Sequence, residues 1–149
     1  MPEFDYAGAA APVRLFSADA VLWVAPSASV AEAARVMAAA DVGLVVVGAH
    51  DEAVGVLSER DVVRAVADRL DLDRTGVGSV ASPHLVRVEA GTAVHDVAER
   101  MLAEYVRHVL VDDDGGLVGV VSARDLLGAY ATADEVELGG LEPGGTPIV

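Results

Sequence analysis

Gly55-Val56-Leu57-Ser58-Glu59-Arg60-Asp61 returns 64 positions later as Gly119-Val120-Val121-Ser122-Ala123-Arg124-Asp125. The same offset matches Val24 with Val88, Val30 with Val94, Ala34 with Ala98, Met37 with Met101, Val45 with Val109, Val47 with Val111 and Ala65 with Ala129. One register held across so many apolar positions marks a tandem repeat. Each copy is too small to close a core alone and must bury its apolar face against its twin. A functional site is therefore expected between the copies.

Working outward, each copy reads as β-α-β-β-α. In the first, Val21 to Val24 is a short apolar run, and Ser29-Val30-Ala31-Glu32 forms a capping box that opens a helix with Val30, Ala34 and Met37 on one face, ended by Gly43. Leu44 to Val47 and Val54 to Leu57, joined by His50-Asp51-Glu52, predict a hairpin. A second helix begins near Ser58, with Val62, Val63, Val66 and Leu70 at helical spacing. The second copy repeats the plan: a strand at Leu85 to Val88, a helix at Val94 to Leu102, strands at Val109 to Val111 and Val118 to Val121, and a helix from Ser122 to about Ala131. The expected division is a mobile N-terminal tail at 1–12, repeat one at 13–70, a polar linker at 71–76, repeat two at 77–132, and an acidic, Gly-rich mobile tail at 133–149.

Composition narrows the function. A chain of 149 residues, 53% apolar, can bury a real core, and no apolar run reaches the ~18 to 20 residues of a membrane span. The absence of a basic-then-apolar leader predicts a cytoplasmic protein. Cysteine is absent, which excludes disulfides, thiolate metal sites and a cysteine nucleophile, and all ten basic residues are arginine, which removes Schiff-base and lysine-base chemistry. No nucleophile is paired with a base, so an enzyme is not expected. His50, His84 and His95 show no metal spacing. A formal charge of −14 argues against nucleic acid and anionic membrane, but a small phosphorylated ligand is compatible because repulsion is screened over about 8 Å while local arginines act at contact distance.

A repeat of this length and order, ending in Gly, two apolar residues, Ser, two variable residues and Asp, resembles a pair of CBS domains, the Bateman module. The resemblance runs from about Val13 to Ala131. Val77-Gly78-Ser79-Val80-Ala81-Ser82-Pro83 is similar to the segment that opens such domains, with Ala81 where methionine is frequent, and Val13-Arg14-Leu15-Phe16-Ser17 is a weaker copy of it. The resemblance implies an α+β (α/β) fold of two repeats related by a pseudo-two-fold axis, with small three-stranded sheets packed on helices. It further implies a regulatory, usually dimeric, binder of adenosine-containing ligands in two clefts between the repeats.

On that resemblance Asp61 and Asp125 are ribose aspartates that accept hydrogen bonds from the vicinal hydroxyls, and Ser58 and Ser122 are phosphate-side hydroxyls at helix N-termini that also attract anions. The same spacing fits a second reading, in which Ser and Asp form a capping box and touch no ligand. Arg60 and Arg124 could fork onto phosphate or simply be solvated first-turn residues. Arg107 and His108 precede a strand where the family places basic phosphate contacts, while Gly43 and Leu44 occupy the matched positions in the first copy. This asymmetry predicts a stronger site of Asp125, Ser122, Arg124, Arg107, His108, Ala81 and Ser82, and a weaker site of Asp61, Ser58, Arg60, Phe16 and Ser17. Protonation of His108 would tighten a phosphate contact below about pH 6.5. Trp23, matched to Arg87, reads either as core or as an apolar patch at a dimer or partner surface.

The expected function is a stand-alone sensor of AMP, ADP or ATP, without cofactor or metal, that signals through a homodimer to a regulated protein partner. The alternative is a ligand-independent dimerisation and interaction module with vestigial clefts.

Overall fold

The computed structural model describes residues 7–17, 20–49 and 52–138. The outer parts of both expected tails, 1–6 and 139–149, and His50 and Asp51 of the first expected turn lie outside the described residues.

Each copy builds one mixed three-stranded sheet. The first contains β1 (Trp23–Val24), β2 (Leu44–Ala49) and β3 (Glu52–Ser58), and the second contains β4 (Arg87–Glu89), β5 (His108–Asp113) and β6 (Gly116–Ser122). In both, the central strand runs parallel to the short first strand and antiparallel to the third. Val45 opposite Leu57 is repeated as Val109 opposite Val121, and both hairpins bulge at the same place, after Val47 and after Val111. At the first bulge Gly48 has φ +152°, and a Cβ there would stand 2.1 Å from the Glu52 carbonyl oxygen, so only glycine fits. Its counterpart Asp112 instead accepts both Nε–H and an Nη2–H of Arg87, at 2.8 and 2.9 Å.

The central strands are continuously apolar because both faces are covered. Val45 and Val47 join Ala33, Met37 and Leu57 in one core, and Val109 and Val111 join Val94, Val97, Met101 and Leu126 in another. Leu44 and Val46 meet Leu110 and Val120 in a third cluster that joins the two sheets, and Trp23 packs there, half-buried, rather than forming an exposed patch.

Helix α2 (Val30–Ala40) opens on the expected capping box, Glu32 N–H donating to Ser29 Oγ at 3.1 Å and Ser29 N–H to Glu32 Oε2 at 3.2 Å. It stops at Asp41, left-handed at φ 54°, two residues before Gly43, and α5 (Val94–Glu104) stops the same way on Tyr105. Along the first, Ala33 rather than Ala34 is buried with Val30 and Met37. Helix α3 (Glu59–Ala67) buries Ala65 and leaves Val63 and Val66 exposed, as is Leu70 beyond it, so most of its expected core face looks outward.

The described residues of both expected tails include helix. Residues Ala7–Ala10 form α1, which packs on α5 and on α6 (Ala123–Leu138); four residues are too few to show a period. Helix α6 continues past Ala131 because 131–138 contains no glycine or proline, the first breaker being Gly139.

The opening segments change places. Val13, in a 3₁₀ turn (Val13–Leu15), is wholly buried in the second copy's core, and backbone bonds from Val13 N–H to Thr92 O (2.8 Å), Arg14 N–H to Ala90 O (3.1 Å) and Val94 N–H to Ala11 O (2.9 Å) hold it there. Its equivalent Val77, in α4 (Val77–Val80), is wholly buried in the first copy's core, with Val77 N–H on Ala28 O and Gly78 N–H on Pro26 O. Each sheet is thus closed by the segment that opens the other repeat. No helix among the described residues is long and apolar enough to cross a membrane.

Candidate functional site

The quoted repeat is a strand that runs straight into a helix. Ser58 ends β3 and caps α3; Ser122 ends β6 and precedes α6. Ser58 donates through both N–H and Oγ to Asp61 Oδ2 at 2.9 Å, while Asp61 N–H donates to Ser58 Oγ at 3.3 Å. The second copy repeats the box, with Ser122 N–H to Asp125 Oδ2 at 2.8 Å and Asp125 N–H to Ser122 Oγ at 3.1 Å. The capping reading is therefore realised twice. It occupies one carboxylate oxygen; among the described residues Oδ1 of each aspartate has no hydrogen bond or ion pair.

Further bonds tie the neighbouring loops to these helix starts. Glu59 N–H donates to Gly43 O at 3.0 Å and Ala123 N–H to Arg107 O at 2.8 Å. With Ser58, Asp61, Ser122 and Asp125 engaged in their boxes, the first-turn amides not taken up by these bonds are those of Arg60 and Arg124. The helix N-termini offer an anion one such donor each, fewer than a bare helix start would.

Two clefts open beside the turns. One, of about 400 Å³, is lined by Ser122, Arg124 and Asp125 with Ala20, Asp41, Leu44 and Val120. The other, of about 570 Å³, is lined by Ser58, Arg60 and Asp61 with Arg64, Val56, Ser82, His84, Val86, Glu104 and Leu110. Both volumes fall in the range of small-ligand sites, ~300 to 1,000 Å³. Four of the ten arginines, Arg60, Arg64, Arg107 and Arg124, line these clefts, and among the described residues none is in an ion pair. Arginines thus gather at two recesses of an acidic protein, each also lined by carboxylates: Asp41, Glu59 and Asp125 in one, and Glu59, Asp61 and Glu104 in the other.

Three expected placements are corrected. Arg107 and His108 line both clefts, not the Asp125 cleft alone, because the ends of β2 and β5 meet where the sheets pack. The asymmetry drawn from Gly43 and Leu44 therefore loses its ground. Ser82 lines the Asp61 cleft, since its N–H and C=O pair with Val56 at 2.9 Å each, and Ala81 packs in the first core. Conversely, Ser17 Oγ–H donates at 3.4 Å to the carbonyl of Val120, a residue of the Asp125 cleft, and Phe16 packs on the second core; among the described residues neither lines the Asp61 cleft. The exchange of opening segments carries these residues with it.

Several lining residues were missed. Glu59 sits in the variable part of the motif and lines both clefts. His84, left without a role, bonds Glu104 at 2.8 Å, and Arg100 Nε–H donates to the same carboxylate at 2.6 Å. Those two bonds, Arg100's first, hold the Glu104 carboxyl below its ordinary range. Nothing in local spacing links positions 20 residues apart, so the sequence carried no signal for this pair.

Residues 16–68 and 77–132 each match the CBS domain family. An uncharacterized 17.7 kDa protein of Acidianus ambivalens is 34% identical over 118 residues, 78% of this chain and 71% of that protein. An uncharacterized conserved protein from Pyrococcus horikoshii superposes with a TM-score of 0.75 at 31% identity, covering 81% of this chain and 92% of the other. A CBS domain protein from Pyrobaculum aerophilum, solved in complex with AMP, superposes with a TM-score of 0.70 at 34% identity, covering 81% and 98%. Two archaeal relatives, from Methanopyrus kandleri and Methanocaldococcus jannaschii, are longer, and the chain spans 56% and 41% of their lengths. With a family match on each copy and the same strand-to-helix turn closing both, the chain belongs to the CBS-domain family and carries two CBS domains in tandem.

Proposed function

We propose that this CBS pair is a cytoplasmic regulatory module that binds an adenine nucleotide, AMP, ADP or ATP, in its clefts and transmits occupancy to a protein partner through a homodimer. The observation that carries this reading is the doubled aspartate: one oxygen is committed to the helix cap, and the other has no partner among the described residues on a side chain that lines a cleft. Ribose hydroxyls donating to that oxygen would make charge-assisted bonds, each contributing ~1.5 to 3 kcal/mol. The base would lie on the apolar lining, Leu44 and Val120 in one cleft and Val56 and Leu110 in the other. Phosphates would meet Arg60, Arg64, Arg107 and Arg124, which are in no ion pair among the described residues. The AMP complex of the Pyrobaculum relative supports the ligand class.

A nucleotide that touches both repeats biases their relative angle by its preference for one arrangement, which is the only way a ligand shifts an equilibrium. Val63 and Val66 of α3, Leu102 of α5 and Leu127 of α6 offer exposed apolar surface for the dimer. The second reading, a dimerisation module with idle clefts, is favoured by the completeness of both capping boxes.

Thermal shift separates the two. At 100 times its dissociation constant a nucleotide adds ~2.7 kcal/mol of stability. Asp61→Glu with Asp125→Glu keeps both caps, since Glu is a natural capping-box residue, but displaces the ribose contact. The proposal expects normal unliganded stability and a lost nucleotide shift in this variant. A wild type that ignores AMP, ADP and ATP would favour the second reading.

A further inference from the structure

Gly43, Leu44, Glu59, Arg107 and His108 line both clefts, so the clefts are two sides of one wall. The wall is thin at Gly43, where a Cβ would stand 2.9 Å from His108 Nε2 and 3.0 Å from Cε1, so the imidazole lies directly on the glycine. Glu59 is part of the same place, its Cδ 3.5 Å from that Cβ position. Arg107 is exposed, and among the described residues its carbonyl accepts from Ala123 N–H while its guanidinium is in no ion pair, which leaves that guanidinium able to turn to either side.

We propose that the two clefts compete for Arg107, so that phosphorylated ligands bind them anticooperatively while the uncharged nucleoside does not. This rests on the nucleotide reading above and adds the regulation of the same site. A guanidinium presents one planar fork and can hold one phosphate bidentately at a time. The second anion to arrive finds that fork taken and faces the first phosphate across the shared wall. Arg60 and Arg64 belong to the Asp61 cleft alone, whereas Arg124 is the Asp125 cleft's own arginine. The first nucleotide therefore enters the Asp61 cleft, and the second binds ~10- to 100-fold more weakly, the loss expected when one charge-assisted contact is withdrawn.

Calorimetric titration with AMP and with adenosine, on wild type and Arg107→Ala, tests this. Expected in the wild type is a gap between the two AMP dissociation constants at least tenfold wider than the gap for adenosine, or one AMP against two adenosines per chain. Arg107→Ala, an exposed side chain, should narrow the AMP gap by weakening the first step while leaving the second nearly unchanged. Two equal AMP sites, equal gaps for AMP and adenosine, or an AMP gap unmoved by Arg107→Ala would each overturn the competition and leave nucleotide binding intact. A wild type that binds neither ligand would overturn both.

Discussion

Replacing Gly55 by alanine adds a single methyl group where two backbone segments meet. The new Cβ would stand 2.8 Å from the Ser82 carbonyl oxygen and 3.5 Å from Ala81 Cβ. The first atom is backbone and cannot swing away, so the 81–82 segment must move off β3. That motion stretches the reciprocal Val56 and Ser82 bonds, both 2.9 Å. Overpacking costs ~1 to 3 kcal/mol, and two weakened backbone bonds contribute up to about 1 kcal/mol each within that total. A loss of ~2 to 3 kcal/mol is expected, several degrees in melting temperature for a chain of this size. Urea denaturation should show it as a lower midpoint with an unchanged slope. Gly91→Ala is the control, since its nearest neighbour is Arg14 Nη1 at 4.0 Å, and it should be neutral or stabilising by a few tenths of a kcal/mol. If Gly55→Ala equals wild type within about 0.5 kcal/mol, the close seating of the second repeat's opening segment on the first sheet is wrong.

The exchange of segments predicts displaced damage. Val77→Ala, which removes two methyl groups from a sealed site, should cost ~1.5 to 3 kcal/mol and loosen amide exchange in β2 and β3 rather than in β5 and β6, with Val13→Ala giving the opposite pattern. Exchange that loosens in the variant's own repeat would contradict the swap. Glu104 predicts an acid limb: its folded pKa lies below the ordinary 4.5, so the stabilisation is full above that value and is lost as pH falls through the lower folded pKa. Arg100→Gln should shrink this limb, and an unchanged pH–stability curve between wild type and variant would argue against the Arg100–Glu104–His84 contact.

The periodic parts of the fold were legible because the two copies impose the same environment at matched positions. Val45 and Val109 read as strand residues twice over, and the strand-to-helix turns at Ser58 and Ser122 carry their chemistry within seven residues. Whatever depends on non-local pairing was hidden. Val77 opens the second repeat in sequence, yet its amide bonds Ala28 and its side chain fills the first core. Ser82 lines the Asp61 cleft, and Ser17 bonds Val120 of the other repeat, for that reason. Arg107 was read as belonging to one cleft because its matched residue is Gly43, whereas packing of the sheets brings both positions to a single wall. Val63 and Val66 have helical spacing but no partner layer above them, so periodicity predicted burial that only a covering element could supply. The capping box and the ribose clamp use the same residues, so spacing alone could not separate them.

A crystal structure of the protein with AMP tests the central claim most directly. The account predicts ribose hydroxyls within hydrogen-bond distance of the uncommitted oxygen of Asp61, with Oδ2 still capping α3 and the phosphate turned toward Arg107. Ribose held by other groups while Asp61 serves only its helix would contradict it.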